Sequence, residues 1–411
     1  MTFETKKFVF LQGPHGPFFG QLAKLLEETG AHVHRIGFNA GDQRFWPNAL
    51  GFDAFQDAPE DWRSHFEMFV NENQITDLVL YGDTRAIHAE AITIAKQKNI
   101  VVHCFEEGYL RPYWVTYERG GVNGHSELMT IDLNEVVKRR SKRHVDLQAV
   151  PAQWGSLWHH NWYGFAYHFA LAIGMRKFPN YRPHRNISIW AEVKLNAIRL
   201  LSALPRSVSR DYFTRKFLRS GAPFYVAMLQ LEHDASLKFH SDVKSQKEFI
   251  DELVESFAKS APRHYRLVFK LHPLDDGRAP LRKWVSDAAR KHAIEKRVLT
   301  FSGGKLGALM NRAKAAIAIN STSVQQAMWR GIPVKLNGKS VFGKPEFTSA
   351  QSTDDFFTSP DHPNKELFLE YRSYLLETSQ LGGGFYTQNG RAEVLRNVVD
   401  MIVAKKHPYE E

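Results

Sequence analysis

The sequence predicts an α/β protein of two doubly wound, Rossmann-like domains, and three observations support this fold class. Short apolar runs typical of buried parallel strands alternate with amphipathic helical segments along residues 7–105, and the alternation resumes along residues 223–336. The stretch between these halves, residues 151–220, has a different composition. A chain of 411 residues is also long enough for two domains with complete cores.

The first half contains two predicted strand–helix–strand units. The first unit has its elements at residues 7–12, 18–29 and 31–38, and the second at 77–81, 86–98 and 99–105. Polar and glycine residues follow the first two strands: Gly13 and Gly16 after one, Asn39 and Asp42 after the other. Loops of this kind collect at the carboxyl edge of a parallel sheet, where ligands bind. The glycine spacing is a weak match to a dinucleotide-binding motif.

Two neighbouring carboxylates, Glu106 and Glu107, follow the last of these strands. Gly108 lets the chain turn after them, and Arg111 can hold an anion. Neighbouring residues that leave a strand point in opposite directions, so we expect one carboxylate to face a substrate and the other to anchor the loop. The first could be a general base or a nucleophile, and a structural salt bridge to Arg111 is the alternative that stays open.

The second half repeats the alternation. Its strands are predicted at residues 223–230, 265–271, 297–302, 315–320 and 332–336, and its helices at 242–260, 280–292, 305–313 and 324–330. Further helices are predicted near 365–378 and 390–405.

Two polar groups in this half suit a phosphate. Three hydroxyls follow the strand predicted at 315–320, where a helix is expected to begin; they belong to Ser321, Thr322 and Ser323. A helix start offers unpaired N–H groups and the positive end of a dipole, although a simple helix cap is the alternative. A second group ends the strand predicted at 265–271; it consists of Lys270, His272 and Pro273.

Positive charge is concentrated in the segment at residues 151–220. It contains eleven Lys or Arg against two acidic residues, a local charge of +9 in a chain of net charge +10. The segment also holds four tryptophans: Trp154, Trp158, Trp162 and Trp190. Basic groups among amphipathic aromatic side chains suit an anionic surface such as a membrane, and a solvated connection between domains is the alternative.

Composition argues against several other classes of protein. The single cysteine, Cys104, excludes an internal disulfide and a cysteine-based zinc cluster. Histidines without metal-ligand spacing, and the lack of an Asp-x-Asp motif, predict no metal, and no other cofactor is expected. No apolar stretch of about 18 residues and no signal sequence is found, so we expect a cytoplasmic location. Common nucleic-acid-binding signatures are absent, so nucleic acid is not an expected partner.

Two α/β halves with loops at their carboxyl edges predict a GT-B-like architecture, in which two Rossmann-like domains face each other across a cleft. In glycosyltransferases of this type the second domain typically holds a nucleotide sugar and the first presents the acceptor. The expected segments are an acceptor-side domain at 1–150, a basic aromatic connection at 151–220, a nucleotide-sugar domain at 221–380, and a C-terminal helix at 381–411 that often returns to the first domain in this architecture.

Six ordered blocks carry a family resemblance. They are FLQGPHGPFF with IGFNAGDQRFWP, FEEGYLRPYWVTYE, QLEHD, KLHP, INSTSVQQAMWRGIPV and GGGFYT. Together they resemble the capsular polysaccharide biosynthesis proteins of Gram-negative bacteria, in particular those of the KpsS type, which are β-Kdo transferases related to KpsC. The resemblance implies a retaining enzyme that transfers the acidic sugar Kdo from CMP-Kdo to a (lyso)phosphatidylglycerol acceptor, starting the capsule linker. It implies a peripheral location on the cytoplasmic face of the inner membrane, with other capsule synthesis or export proteins as further partners.

The resemblance also implies residue roles. Glu107 stands where KpsC-type relatives carry the Asp of a Glu-Asp-Gly-Phe block, which makes it the implied nucleophile. The base for the second step would be Glu106, His15 or Asp234. CMP-Kdo is a compact dianion that needs cationic and N–H partners. The implied donor-binding residues are Lys270, His272, Pro273, Asn320, Ser321, Thr322, Ser323, Arg111, Gln230 and Glu232.

Two other functions stay open at this point. A GT-B glycosyltransferase of capsule or lipopolysaccharide synthesis could use another nucleotide sugar or a glycan acceptor. A non-enzymatic protein that binds an anionic surface would explain the charge of residues 151–220 but would leave the ordered loop motifs without a role.

Overall fold

The computed structural model describes residues 5–110, 113–139, 157–183, 188–201, 212–232, 241, 243–272, 275, 277–302, 304–404 and 407–409. The chain forms two compact units. Unit 1 comprises Met1–Glu127, Gln148–Leu201 and Leu375–Glu411, and unit 2 comprises Leu128–Leu147 and Ser202–Tyr374.

Strands and helices alternate through most of the chain. The strands are β1 (Lys7–Phe10), β2 (His32–Gly37), β3 (Gly51–Ala54), β4 (Asp77–Tyr81), β5 (Val101–Glu107), β6 (Trp114–Arg119), β7 (Phe224–Met228), β8 (Arg266–Lys270), β9 (Val298–Phe301), β10 (Ala315–Ala318), β11 (Val334–Leu336) and β12 (Gln380–Gly382). The helices are α1 (Phe18–Glu28), α2 (Ala40–Arg44), α3 (Trp62–Asn73), α4 (Ala86–Gln97), α5 (Leu133–Arg139), α6 (Leu157–Ile173), α7 (Ile189–Leu201), α8 (Gln246–Ser260), α9 (Leu281–Lys291), α10 (Leu306–Met310), α11 (Gln325–Met328), α12 (Thr353–Thr358), α13 (Lys365–Thr378) and α14 (Gln388–Val403), and residues 212–219 are also helical.

Unit 1 is built on a seven-stranded sheet in the order β12-β6-β5-β4-β1-β2-β3. The five strands from β5 to β3 are parallel, whereas β6 pairs antiparallel with both of its neighbours, β5 and the edge strand β12. One face is covered by α1 and α14, which bury phenylalanines such as Phe18 and Phe105. The other face packs against α3 and α4 around Trp62 and Leu80. Helices on both faces explain why the central parallel strands β1, β4 and β5 are mostly apolar.

Unit 2 contains a five-stranded parallel sheet in the order β11-β10-β7-β8-β9. Helices α8, α9 and α12 pack on one face of it and form a core with side chains such as Phe257, Val285 and Phe357. The predicted fold class, an α/β protein with parallel doubly wound sheets, is confirmed.

The unit boundaries differ from the predicted domain limits in two places. Part of the segment expected to connect the domains, residues 157–201, belongs to unit 1, because α6 packs against α2 and α7 packs against α6. Residues 128–139 belong to unit 2, where the Lys344 Nζ donates to the carbonyl oxygens of Met129 (3.1 Å) and Ile131 (2.9 Å). These two hydrogen bonds satisfy the buried ammonium of Lys344 and so attach residues 129–131 to unit 2.

Three element boundaries near the candidate sites also differ from the prediction. Strand β5 extends to Glu107, so Glu106 and Glu107 lie within the sheet and pair with Thr116 and Val115 of β6. The helix predicted at 324–330 is a 3₁₀ turn followed by the four residues of α11. Helix α8 begins at Gln246, where the Ser245 side chain caps it.

A buried polar group lies near the amino end of β5. The Nε2 of His103 is 2.9 Å from the Asp77 Oδ1, and Lys6 donates to the same oxygen at 2.8 Å. Burial lowers the pKa of His103, so its ring is neutral. Burial opposes ionisation of Asp77 as well, but the hydrogen bonds from His103 and Lys6 prevail and lower the pKa of Asp77 to about 2. The group, in which His103 and Asp77 are buried and Lys6 is half-buried, therefore holds the sheet together far from the carboxyl edge.

Glu118 of β6 is a second buried carboxyl group. Its side chain is completely buried, and the Ser126 hydroxyl donates to it. Burial raises the pKa of Glu118 to about 8, although the hydrogen bond from Ser126 acts in the opposite direction.

Glu118→Gln is expected to make stability less dependent on pH. The pKa of Glu118 is higher in the folded state than its ordinary value of 4.5, so its contribution to stability is full at low pH and is lost as pH rises towards 8. Between pH 5 and pH 9 the variant should gain on the order of 4 kcal/mol relative to the unmodified protein. Melting temperatures across this pH range test the expectation, with the exposed Glu72→Gln as control. Parallel pH profiles for all three proteins would contradict it.

Candidate active site

A cavity lies at the carboxyl edge of the unit 1 sheet. The strand order reverses between β1 and β4, and this switch point is where open α/β sheets bind ligands. The loops after both strands line a cavity of about 160 Å³ there. Helix α6 and the segment after β12 complete its wall. The lining side chains that carry charge, or that gain or lose a proton readily, include His15, Arg85, His160, His168 and Glu192.

Glu107 lies directly behind this wall. Tyr81 and Tyr386 both line the cavity, and their hydroxyls donate to the Glu107 Oε1 at 3.4 Å and 3.2 Å. Two donors on one oxygen fix the carboxylate in place and leave the second oxygen, Oε2, for other contacts.

Glu106 has a different environment. Side chains alternate along a strand, so Glu106 points to the opposite face of the sheet from Glu107. Its Oε1 accepts a hydrogen bond from the Glu107 N–H at 2.9 Å. A carboxylate that binds the adjacent backbone supports the end of β5.

Asp42 organises the loops around the cavity. This buried carboxylate accepts hydrogen bonds from Arg35 (3.1 Å), the Tyr167 hydroxyl (3.0 Å) and the Gln12 amide (3.3 Å). Asn39 caps α2 and donates to the same tyrosine hydroxyl at 2.9 Å. The network joins the loops after β1 and β2 to α6. Asp42 and Asn39 therefore hold the loops and the helix that surround the cavity in position.

The two glycines of the first loop permit close packing. A Cβ on Gly13 would lie 2.4 Å from the Phe19 ring, and Gly16 has φ +113° beside the ring of Tyr163. Next to them, His15 stacks on Tyr167 with ring centroids 4.5 Å apart. The ring of His15 thereby belongs to the cavity wall.

In unit 2, polar residues also gather at the carboxyl edge of the sheet. The strand order reverses between β7 and β10, and two amides bridge the ends of these strands: Gln230 donates to Asn320 Oδ1 at 2.8 Å and accepts from the Asn320 N–H at 3.3 Å. Lys270 is the last residue of β8, which lies between β7 and β9 in the sheet. Its buried Nζ donates to the Leu271 carbonyl at 3.2 Å. His272 follows at the same edge.

The three hydroxyls differ in their surroundings. The Ser321 Oγ accepts the Ser323 N–H at 3.3 Å and so caps the turn, while Thr322 and Ser323 lie in the 3₁₀ turn itself. The Glu232 carboxylate accepts the N–H of Gln246 at 3.0 Å, at the start of α8. Asp234, Pro273 and Arg111 lie outside the described residues.

Several site residues were not identified from the sequence. They are Tyr81, Arg85, His160, His168, Tyr386 and Gln246. Tyr386 belongs to the GGGFYT block, which was the one available signal. Gln246 is fully buried, and its side-chain amide has no partner among the described residues, so a ligand at the β7–β10 edge could satisfy it.

Within the described ranges, no group of three or more His, Cys, Asp or Glu side chains is arranged to hold a metal ion. The same part of the chain contains no helix long and apolar enough to cross a membrane.

Comparison with known proteins gives a consistent family match. The family model for capsule polysaccharide biosynthesis proteins matches residues 76–386. The Escherichia coli protein named capsule polysaccharide export protein KpsS is 30% identical over 385 residues, which cover 93% of this chain and 97% of that protein. The Neisseria meningitidis serogroup A capsule polysaccharide modification protein LipB is 29% identical over 390 residues, covering 93% and 92%. Among solved structures, Thermosulfurimonas dismutans KpsC, a β-Kdo 2,7 transferase, aligns over 97% of this chain and 100% of that chain with 13% identity and a TM-score of 0.47.

Proposed function

Because the chain belongs to the capsule polysaccharide biosynthesis protein family, we propose that it is a retaining glycosyltransferase that moves Kdo from CMP-Kdo to a (lyso)phosphatidylglycerol acceptor. The observation that carries the proposal is the carboxylate of Glu107, which two tyrosine hydroxyls orient beside a cavity at the switch point of the sheet.

Glu107 is assigned as the nucleophile. In the first step a carboxylate oxygen attacks the anomeric carbon of Kdo, and the bond from that carbon to the CMP phosphate breaks with its electron pair. In the second step an acceptor hydroxyl attacks the same carbon and releases Glu107, while its proton passes to a base. Two inversions give net retention. The tyrosine hydroxyls, bound to Oε1, hold the carboxylate in position and stabilise it again when it leaves.

His15 is the best-supported base for the second step. It lines the cavity, whereas the Glu106 carboxylate is engaged with the backbone of β5. An imidazole has the pKa required to accept a proton near neutral pH.

The donor is assigned to the carboxyl edge of the unit 2 sheet. The ammonium of Lys270 and the ring of His272 are the groups that would stabilise the single phosphate of CMP as negative charge develops on it. The amides of Gln230 and Asn320, which lie at the switch point, are placed to contact the nucleotide. The hydroxyls of Thr322 and Ser323 would add contacts to CMP-Kdo. The Ser321 Oγ is already occupied, because it caps the turn.

The acceptor is assigned to the cavity of unit 1. Arg85 is held there by the Gln12 side chain at 3.1 Å and offers the remaining donors of its guanidinium. Together with the imidazoles of His15, His160 and His168 it forms a lining that suits a phosphate-bearing headgroup. A neutral glycan would make little use of these groups, which supports an anionic acceptor.

Incubation of the protein with CMP-Kdo and a fluorescent phosphatidylglycerol, in lyso and diacyl forms, tests the proposal. We expect a product that carries one Kdo, with the β linkage identified by NMR. CMP should also bind more tightly than UMP in calorimetry. Transfer only onto an existing Kdo chain would instead assign an extension role, and transfer from a UDP-sugar would overturn the donor assignment. The Glu107→Gln variant is the negative control.

A further inference from the structure

Helix α6 presents two faces of different character. One face carries His160, Tyr167 and Leu171, which line the cavity of unit 1. The other is an apolar stripe of five residues: Trp158, Trp162, Phe165, Phe169 and Ile173. Their spacing of four, three, four and four residues places them on one side of a helix.

Four of the five stripe residues are exposed, and Phe165 is half-buried. Trp158 is 49% exposed and Ile173 is 64% exposed, although both are large apolar side chains. The rings are already ordered along the helix: Trp158 and Trp162 stack with centroids 5.9 Å apart, and Phe165 stacks on Phe169 at 5.8 Å. Helix α6 has no charged residue among its seventeen positions. Large apolar side chains grouped on one exposed face of a helix indicate an interaction surface.

Positive charge surrounds the stripe along the chain. The sequence from 157 to 201 has one acidic residue, Glu192, which is buried. The turn after α6 exposes Arg176 and Lys177. Helix α7 packs against α6 and exposes Trp190, Lys194 and Ile198 at successive turns of one face. Indole rings with nearby cations are suited to the interface of an anionic bilayer.

We propose that the outward face of α6, with Trp190 and Lys194 of α7, docks the protein on an anionic lipid bilayer. A second copy of the chain fits the surface less well, because a symmetric contact would bring two sets of like charges together. This docking proposal rests on the proposed function in one respect: a lipid acceptor has to reach the cavity of unit 1.

The geometry links docking to substrate access. The cavity wall and the stripe are opposite sides of one helix, so about one helix diameter, on the order of 10 Å, separates them. With the stripe at the lipid interface, the histidines of the inner face lie near the depth of the phosphate headgroups. A lipid could therefore enter the cavity without leaving the bilayer completely.

Flotation with lipid vesicles tests the surface. The full-length protein is mixed with vesicles of phosphatidylcholine alone or with added phosphatidylglycerol, at about 0.1 M and about 1 M salt. We expect binding to the anionic vesicles at low salt, weaker binding at high salt, and a blue shift of tryptophan fluorescence. The triple variant W158S/W162S/F169S should lose at least about tenfold in vesicle affinity. Met68→Ser, which removes a side chain of α3 that is 54% exposed, is the matched control.

Each alternative outcome overturns the inference. Absence of binding by the unmodified protein, or equal binding by the triple variant, would remove the docking role. A dimer in size-exclusion chromatography that the triple variant abolishes would assign the surface to a second copy of the chain.

The test is separable from the proposed chemistry. Vesicle binding is measured without CMP-Kdo, so it does not depend on transfer. The triple variant should still transfer Kdo to a water-soluble, short-chain acceptor at the rate of the unmodified protein. Loss of that activity together with a normal melting temperature would place the stripe in the reaction rather than in docking.

Discussion

Glu107→Gln is expected to slow Kdo transfer by about three to four orders of magnitude. The amide keeps the shape of the side chain and can still accept from the Tyr81 and Tyr386 hydroxyls, but it is a poor nucleophile. The loss should therefore appear in kcat with little change in donor affinity. Product formation is measured by chromatography of the fluorescent acceptor, and melting temperature verifies that the variant is folded.

Two further variants test whether the loss of activity is specific to the Glu107 carboxylate. Tyr386→Phe removes one of two hydrogen bonds to Glu107, and we expect a loss of roughly tenfold, the usual contribution of one hydrogen bond to a charged group. Glu106→Gln should cost less than Glu107→Gln, because the Glu106 carboxylate accepts a hydrogen bond from the β5 backbone, and the amide oxygen of glutamine can keep that bond. A reversed order would move the nucleophile to Glu106.

A covalent intermediate gives a test independent of rates. Without acceptor, the unmodified protein should accumulate an ester of Kdo on Glu107, detectable as a mass increase on its proteolytic peptide. An unmodified peptide throughout a productive reaction would contradict double displacement.

His272→Ala is expected to produce the second largest effect, a loss of about two to three orders of magnitude in kcat/KM. The imidazole follows β8 at the carboxyl edge, next to the buried ammonium of Lys270, where the leaving phosphate is assigned. Removing it takes away stabilisation of the departing CMP. Calorimetry with CMP should show weaker binding by the variant.

The exposed His362, on a loop of unit 2, provides the control for this prediction. His362→Ala should retain full activity and normal CMP binding. If His272→Ala also retained full activity with a normal melting temperature, the role assigned to His272 would be wrong.

Much of the fold could be predicted because parallel strands buried on both faces are mostly apolar. The strand predicted at 77–81 coincides with β4, and the helix predicted at 365–378 coincides with α13. The antiparallel edge was not predicted. Strand β6 contains the buried polar residues Thr116 and Glu118, which interrupt the apolar pattern expected of a buried strand. Strand β12 has only three residues, which is too short for a pattern to be recognised.

Helix α6 was not predicted for a related physical reason. Its polar side chains are histidines, tyrosines and one asparagine, with no Lys, Arg, Asp or Glu, so the contrast between faces that marks an amphipathic helix is weak. The aromatic character of residues 151–220 was recognised, but the two faces of α6 became evident only when Tyr167 was found buried and Trp158 exposed.

In the candidate site, too, local patterns could be predicted from the sequence, whereas contacts made by tertiary packing could not. Alternation along a strand predicted that Glu106 and Glu107 would diverge, and the structure supplies the neighbours that distinguish them. Arg85, His160 and Tyr386 come from distant parts of the chain. No local pattern relates them, because only the packing of α6 and of the segment after β12 brings them to one cavity.

Strand β5 carries polar side chains with separate duties, among them the buried His103 near its amino end and the partly buried Glu107 at its carboxyl end. A library of substitutions along this single strand should therefore divide under two selections. Changes at His103, which sever its contact with Asp77, should be depleted when cells are sorted for protein abundance. Changes at Glu107 should pass that sort and be depleted only when cells are sorted for capsule. One short strand would thus contain both the experiment and its control.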